Sequence, residues 1–210
     1  MPRGRAAKFE LNRDNIRHHA ADLFATRGYT GASMQELAQR LDISKALLYH
    51  YYTEKYQLLV EIAEGHIDRL EQLVATVGGE YKDPTQQLVP LMQGLVEEYA
   101  EARAHHQVLV QDIKYLTAND RRRVREKERR VVAAFAAAIA ARDPALERSA
   151  LAKPLTMLLF GMVNWLFTWF KPNGRLSYQA MATLVAEFTV GGLSAITDSH
   201  KDTRKRAVRR

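Results

Sequence analysis

The segment from Ser44 to Tyr51 combines basic, aromatic and hydroxyl side chains that are suited to binding a polyanion. Lys45, Tyr49 and His50 carry donors that could reach phosphate oxygens, and Lys55 follows shortly after them. Contacts of this kind fix the register of a protein on a nucleic-acid backbone, whereas contacts to base edges specify sequence. The segment therefore predicts a nucleic-acid contact, provided that neighbouring elements hold it at a surface.

Two serines set the limits of the helices that would hold this segment. Ser33 and Glu36 form the capping box S-M-Q-E at the start of one short helix. After the turn at 41–43, Ser44 caps a second short helix. An earlier amphipathic helix ends near Gly28. Three such helices, two of them joined by a tight turn, predict a helix-turn-helix whose second helix enters the major groove of DNA.

The side chains expected to contact DNA lie at the exposed parts of these helices. Leu47 favours contact with a thymine methyl group over hydrogen-bonded base readout. For Tyr51 and Tyr52 we favour the alternative, in which these rings pack the third helix against the fourth. The predicted DNA-binding residues are Ser33, Ser44, Lys45, Ala46, Leu47, Tyr49, His50 and Lys55.

Positive charge is concentrated at the two ends of the 210-residue chain, whose net charge is +7. Residues 1–60 carry nine basic and six acidic side chains, residues 61–198 carry 16 and 17, and residues 199–210 carry six and one. The two basic ends of the chain suggest a polyanionic partner, and the nearly neutral middle segment suggests that this part of the chain has a separate function. The basic arm at residues 3–8, placed before the first helix, either reaches into a minor groove or is a solvated tail.

Several classes of function are disfavoured by the same sequence. Absence of cysteine excludes thiolate catalysis, Cys-ligated zinc and disulfides. His18–His19 and His105–His106 are adjacent pairs that diverge on a helix, so we expect no metal. No nucleophile elbow, Walker loop or dinucleotide glycine pattern is present, so neither an enzyme nor a cofactor is expected. Without a signal peptide or a spanning helix (Leu155–Phe170 is too short), the protein is expected in the cytoplasm, away from membranes.

Helical periodicity continues to the end of the chain and predicts an all-α fold of about nine helices. Pro154 should kink or split the helix that contains it. The helices predicted after the helix-turn-helix lie at about 55–77, 84–104, 106–116, 119–142, 145–171 and 177–197. The predicted domains are a helix-turn-helix DNA-binding domain with a basic N-terminal arm (1–53), a ligand-binding and dimerisation domain (54–198) and a basic disordered tail (199–210).

Residues 34–55, MQELAQRLDISKALLYHYYTEK, closely resemble the DNA-binding domain of TetR-type bacterial repressors. In that family, a similar second helix, a VSKGTLYHYF-like third helix and a lysine opening the fourth helix recur together. The resemblance is strong over residues 12–60. It implies a homodimer that binds a palindromic double-stranded operator, with two recognition helices in successive major grooves. A nucleoid-like architectural protein is a competing function for a basic DNA-binding chain.

The resemblance also implies that the last two helices of each protomer form a four-helix dimer interface. Here these helices are 145–171 and 177–197. The second of them carries a stripe suited to close packing, which consists of Met181, Leu184, Val185, Phe188 and Gly192.

The segment at 160–172 contains both tryptophans of the protein. Trp165 and Trp169 lie about one helical turn apart, with Asn164 and Thr168 in a polar line beside them. An apolar wall with a few polar groups is what a ligand pocket requires. Packing of the aromatic rings in a dimer core explains the same pattern equally well.

With 111–116 upstream, this segment resembles a TetR subgroup that represses fatty-acid, sterol or phenylacetate degradation and responds to acyl- or aryl-CoA thioesters. The resemblance implies that Asn164, Trp165 and Trp169 help to form the thioester pocket. Leu166 departs from the threonine that is common there, which changes the polarity of the pocket. The predicted ligand-binding residues are Tyr115, Phe160, Asn164, Trp165, Thr168, Trp169, Arg122 and Arg125.

The arginine-rich run at 121–130 offers donors for the phosphates of CoA, because guanidinium groups grip phosphate in a forked geometry. A solvated helix face with internal ion pairs explains the run equally simply. The expected mechanism is release of the operator when a small-molecule effector binds. The alternative effector is a hydrophobic drug or another aromatic compound.

Overall fold

The computed structural model describes residues 3–148, 150–171 and 174–208, and for 3–12, 144 and 200–208 it describes the backbone alone. Within these ranges the chain forms helices and turns without a strand, so the predicted all-α class is confirmed. The α-helical segments are α1 Arg3–Gly31, α2 Met34–Arg40, α3 Lys45–Tyr51, α4 Lys55–Glu80, α5 Leu88–Glu101, α6 Arg103–Asp112, α7 Ala118–Arg142, α8 Pro144–Arg148, α9 Ala152–Asn164, α10 Leu166–Trp169 and α11 Tyr178–Val208. Short 3₁₀ turns at Pro84–Gln86 and Ile113–Tyr115 precede α5 and follow α6.

The chain divides into two compact units, each built from two stretches of sequence. The first unit contains Met1–Asp68 and Ala102–Glu126, and the second contains Arg69–Glu101 and Lys127–Arg210. Both α4 and α7 run from one unit into the other. The sequence predicted a boundary at residue 53, whereas in the structure α6 also belongs to the unit that contains the helix-turn-helix.

Local signals explain how the first unit forms. The hydroxyl oxygens of Ser33 and Ser44 accept the amide N–H groups of Glu36 and Leu47, each at 3.1 Å, and so cap α2 and α3 as predicted. Gly28 has φ +72°, a left-handed conformation that favours glycine and kinks α1 at the predicted C-cap. These caps fix the short helices on a core that α1 shares with α6.

The second unit buries the apolar faces of its helices. On α5 the buried residues follow a helical period, and α11 packs along this helix. Met181 and Val185 of α11 are also buried, so two of the five residues of the predicted interface stripe face the core of their own chain. The buried residues of α5 are Leu88, Leu91, Met92, Leu95, Val96 and Tyr99.

The predicted helix at 145–171 is interrupted twice and becomes α8, α9 and α10. The first break lies at Ala150, which has φ +56°. Pro154 then lies in the first turn of α9, where a missing N–H group costs no hydrogen bond, so it neither kinks nor splits that helix. The second break falls at Trp165, between α9 and α10.

Both chain ends differ from the prediction. Helix α1 begins at Arg3, so the basic residues expected in an arm before the first helix lie within α1. Helix α11 continues to Val208 rather than ending near 197, so residues 199–208 are helical rather than a separate disordered tail. Residues 1–2 and 209–210 lie outside the described residues.

Candidate DNA-reading surface and effector-binding unit

Helix α3 presents most of its surface to solvent within the first unit. Leu48 is fully buried, whereas Lys45, Ala46, Tyr49 and His50 are exposed. The predicted contact with a thymine methyl group requires Leu47 to be accessible, and 44% of this residue is exposed. The seven-residue helix is therefore anchored through Leu48 and the half-buried Tyr51, which packs against the core as preferred for this ring, and it leaves the other side open.

Polar groups converge at the start of this open side. The ammonium of Lys45 lies 5.9 Å from the centre of the Tyr49 ring, so both donors belong to one surface. The hydroxyls of Ser33 and Ser44 accept helix-capping bonds, and a serine hydroxyl that accepts a bond still carries a proton to donate. The geometry is thus compatible with the predicted phosphate contacts, and the DNA-binding role of each residue stays a prediction.

Tyr52 anchors the end of α3 in the core, which confirms the packing role preferred for this ring. It is fully buried, and its hydroxyl donates to the Glu61 carboxylate at 2.8 Å. Arg13 pairs with the same carboxylate and lies 4.7 Å from the centre of the Tyr52 ring. Burial and the bond to Glu61 raise the pKa of the Tyr52 phenol well above its usual range. Local spacing does not indicate the pair of Arg13 and Glu61, because 48 residues separate them along the chain.

The side chain of Lys55 binds backbone carbonyl groups of its own chain. Its ammonium donates to the carbonyl oxygens of Tyr29 at 2.6 Å and of Ala32 at 2.7 Å. Burial lowers the pKa of this lysine, against a smaller opposing effect of the nearby Asp112 carboxylate. The predicted phosphate contact remains untested, but this geometry already provides the ammonium with two acceptors.

In the second unit, two of the predicted ligand-binding residues connect α9 to its neighbours. Phe160 is buried, with its ring centre 5.0 Å from that of Phe135 on α7. Asn164, the last residue of α9, accepts a hydrogen bond of 2.7 Å from the hydroxyl of Tyr99 on α5. Burial raises the pKa of Tyr99, so its phenol is a neutral donor at physiological pH. Local spacing does not indicate this bond, which spans 65 residues.

The two tryptophans lie on the surface of the isolated chain. Trp165 is 60% exposed and Trp169 is 57% exposed. Thr168 is also exposed, and its hydroxyl donates to the carbonyl of Trp165 at 2.7 Å. Because α9 ends before Trp165, these side chains do not continue its buried face. Their predicted role in a pocket stays a prediction, and their exposure favours the alternative of an interface between chains.

The three remaining predicted ligand-binding residues belong to the first unit. Tyr115 packs against Tyr29, with ring centres 5.4 Å apart. Arg122 donates to Asn119 at 2.6 Å and pairs with Glu126, whereas Arg125 is exposed. The structure thus distributes the predicted ligand-binding residues over two units.

A cleft of about 260 Å³ opens in the second unit between α11 and the end of α7. This volume is below the roughly 300–1,000 Å³ that is usual for small-molecule sites. None of the predicted ligand-binding residues is in its lining, which consists of Arg142, Asp143, Leu146, Val190, Leu193, Ser194, Thr197 and Asp198.

Two family profiles match the sequence. The profile "Bacterial regulatory proteins, tetR family" matches residues 16–62, which include α2 and α3. The profile "Tetracyclin repressor-like, C-terminal domain" matches residues 81–193, more than half of the chain. The chain belongs to the TetR family. It is therefore a DNA-binding transcriptional regulator, in agreement with the expectation that it is not an enzyme.

Curated relatives of this TetR-family chain include both repressors and activators. It is 26% identical over 192 residues to the transcriptional repressor KstR2 of Mycolicibacterium smegmatis, covering 87% of this chain and 90% of that protein. It is 32% identical over 68 residues to the transcriptional activator FasR of the same species, covering 32% of this chain. The match spans only 31% of the length of FasR, so this similarity is local.

Solved structures extend the similarity to most of the chain. A TetR-family regulator from Bordetella parapertussis is 30% identical with a TM-score of 0.78, covering 84% of this chain and 93% of that one. AibR, solved with isovaleryl coenzyme A and operator DNA, is 27% identical with a TM-score of 0.68, covering 85% of this chain and 95% of AibR.

Proposed function

We propose that this TetR-family regulator is a homodimeric repressor that binds a palindromic operator and leaves it when an acyl- or aryl-CoA thioester binds. The observation that carries the DNA-binding half of the proposal is α3, a capped helix that buries Leu48 and exposes Lys45, Leu47, Tyr49 and His50. An exposed helix of this composition fits a major groove. Because such a regulator acts on the chromosome, we place it in the bacterial cytoplasm.

The apolar surface of the second unit supports the homodimer. Leu158 and Trp165 are exposed at positions i and i+7 of the α9–α10 segment, and Leu184 and Phe188 are exposed one turn apart on α11. Of Leu184 and Phe188, Phe188 is the more exposed, at 69%. We propose that the exposed apolar side chains of these two segments form an interaction site, which a second copy of the chain would cover.

Membrane insertion of α11 competes with this explanation of the apolar surface. Tyr178–Ser199 is long and apolar enough to cross a bilayer by length and composition, with 33% of its most apolar window buried in the protein. The same helix packs along α5 and buries Met181 and Val185, so its apolar residues already serve two protein surfaces under our proposal.

The CoA thioester is supported by one solved relative and by a sequence resemblance. AibR was solved with both isovaleryl coenzyme A and operator DNA, and its structure aligns over 85% of this chain. The resemblance of residues 160–172 to thioester-responsive regulators points to the same class of effector. Within the second unit, Asn164 and its donor Tyr99 provide polar groups next to the buried Phe160, which suits the acyl end of such a ligand.

Release of the operator requires that the effector bind the DNA-incompetent arrangement more tightly than the competent one. Helices α4 and α7 both contribute residues to the two units. If effector binding changes the direction of either helix axis, the change would therefore be transmitted along that helix to the first unit, which carries α3. This continuity is the physical basis that we propose for the response.

Selection of bound sequences from random duplex DNA tests the first part of the proposal, and a single palindrome is expected. Broad, sequence-independent coverage of DNA would instead indicate an architectural protein. Fluorescence anisotropy on the selected duplex then tests the effector with isovaleryl-CoA, phenylacetyl-CoA, a long-chain acyl-CoA and their free acids. Release by a thioester supports the proposal, whereas release by the free acids or hydrophobic drugs alone would overturn the CoA assignment.

A further inference from the structure

We propose that Tyr56 and Asp120 are positioning residues which, with Thr117, join α4 to α7 and pass the effector response from α7 to the start of α4. Tyr56 is the second residue of α4, and only residues 52–54 separate this helix from α3. All three residues of this α4–α7 joint belong to the first unit. The inference rests on the proposed release by an effector, and it names the side chains that would transmit the response.

The first turn of α7 is capped by a threonine and an aspartate. The hydroxyl oxygen of Thr117 accepts the Asp120 amide N–H at 3.2 Å, so Thr117 is the N-cap residue of α7. The same hydroxyl donates to the Asp120 carboxylate at 2.7 Å. In a usual capping box, the side chain three residues later accepts the backbone N–H of the N-cap residue. Here the backbone N–H of Thr117 is bound by a residue of α4 instead.

Tyr56 completes this capping arrangement from the neighbouring helix. Its hydroxyl oxygen accepts the Thr117 backbone N–H at 2.8 Å, and the hydroxyl donates to the Asp120 carboxylate at 2.5 Å. A phenol hydroxyl can donate and accept at the same time. The bond from Tyr56, followed by the bond from Thr117, lowers the pKa of Asp120, so this acceptor is an anion at neutral pH. The half-buried ring of Tyr56 packs against the core of the first unit, which restrains the hydroxyl.

Arg123 makes a second connection between the same two helices. Its guanidinium binds the Asp120 carboxylate at 2.7 Å and the carboxylate of Glu64, on α4, at 2.8 Å. The side chain of Arg123 is 43% exposed, and exposed ion pairs contribute little to stability. We therefore expect the hydroxyl of Tyr56 to be the more important connection.

The α4–α7 joint allows little relative movement of its two helices. Hydrogen bonds hold only over a narrow range of about 2.5–3.2 Å between heavy atoms, so a shift of about 1 Å would break both bonds of the Tyr56 hydroxyl unless α4 followed. Helix α7 continues into the second unit, and α4 begins directly after α3. The joint thus connects a helix that reaches the proposed effector-binding unit with the residues that follow the DNA-reading helix.

The coupling factor of the regulator tests this role. It is the ratio of the operator Kd with saturating thioester to the Kd without it, and values of about 5–150 are typical of allosteric proteins. Tyr56→Phe keeps the packed ring but removes the hydroxyl. Without thioester, we expect this variant to bind the selected duplex as tightly as the unsubstituted protein. With isovaleryl-CoA or phenylacetyl-CoA, whichever releases the unsubstituted protein, its coupling factor should fall close to 1.

Two controls separate transmission from ligand binding and from a general loss of stability. Calorimetric titration of Tyr56→Phe with the thioester should give an unchanged Kd, and a weakened one would place Tyr56 in the pocket instead. Tyr81→Phe, which removes a phenol hydroxyl in the second unit, should keep the full coupling factor. Asp120→Ala breaks the same joint, so adding it to Tyr56→Phe should reduce coupling no further. An undiminished coupling factor in Tyr56→Phe would overturn the inference.

Hydrogen exchange tests the α4–α7 joint without an effector. Because linkage is reciprocal, DNA bound at α3 should also stabilise the first turn of α7. The selected duplex should slow exchange of the Asp120 amide by roughly fivefold or more in the unsubstituted protein and in Tyr81→Phe, but not in Tyr56→Phe. Equal protection in Tyr56→Phe, or none in the unsubstituted protein, would refute the joint. Protection that depends on Tyr56, without release by any thioester, would refute the CoA assignment alone.

Discussion

At the level of single residues, the sequence identifies side chains with suitable chemistry but does not reveal which acceptor each one finds. Lys45 and Lys55 both carry an ammonium group that could bind phosphate. In the structure, however, Lys45 is exposed, whereas Lys55 donates to two backbone carbonyls near the end of α1. Tyr99 and Asn164 meet although 65 residues separate them. Such contacts depend on the tertiary fold, which local spacing does not encode.

Tyr52 provides a residue-level prediction about stability. Tyr52→Phe removes the hydroxyl that donates to Glu61, and we expect a loss of about 1–2 kcal/mol in the free energy of unfolding at pH 7. Because folding raises the pKa of this phenol, the unsubstituted protein has the full contribution below the unfolded pKa of about 10 and loses it as pH rises toward the higher folded pKa. Urea unfolding at pH 7 to 11 measures both effects. A gap between the two proteins that did not narrow above pH 10 would contradict this account.

Asn164 and Trp165 are adjacent in sequence but are expected to have different roles. Asn164→Leu should weaken thioester-induced release of the operator at least tenfold while leaving the dimer intact, because it removes a polar group beside buried Phe160. Trp165→Ala, at an exposed position, should instead weaken dimerisation. Anisotropy titrations with thioester and sedimentation measurements check both variants. Loss of thioester response only in Trp165→Ala would show that the tryptophan lines the pocket after all.

At the level of elements, the sequence predicts those helices whose ends are determined locally. Ser33 and Ser44 begin helices, and Gly28 kinks one, where their capping chemistry indicates, because a cap needs only neighbours three or four residues away. The breaks at Ala150 and Trp165 were not predicted. Residues 155–170 are mostly apolar and contain neither a proline nor a charged residue, so the sequence carries no strong signal for the break at Trp165.

The cap of α3 allows its folding to be separated from its binding. Ser44→Ala should lower the free energy of unfolding by about 1 kcal/mol, because the Leu47 amide loses its acceptor. Ser44→Asp keeps a good cap and should preserve stability, but it places a negative charge on the predicted phosphate-binding side. We therefore expect Ser44→Asp to weaken DNA binding more than Ser44→Ala, as measured by thermal unfolding and anisotropy. The reverse order would argue against a phosphate near Ser44.

At the level of the whole molecule, the apolar face of the second unit should decide the oligomeric state. Burial of large side chains such as Phe188 contributes about 1.5–3 kcal/mol each, and a buried carboxylate in their place has no partner. Phe188→Glu should therefore give a monomer by light scattering. Loss of the dimer should also lower operator affinity by orders of magnitude, because two half-sites are no longer bound together.

Gln179→Glu is the charge-matched control, since this residue is exposed at the start of α11 and lies about half a turn around the helix from Phe188. It should remain dimeric and bind the operator normally. A dimeric Phe188→Glu variant would place the interface elsewhere on the chain. A monomeric variant that kept full operator affinity would separate dimerisation from DNA recognition, and the palindromic operator would then lose its structural basis.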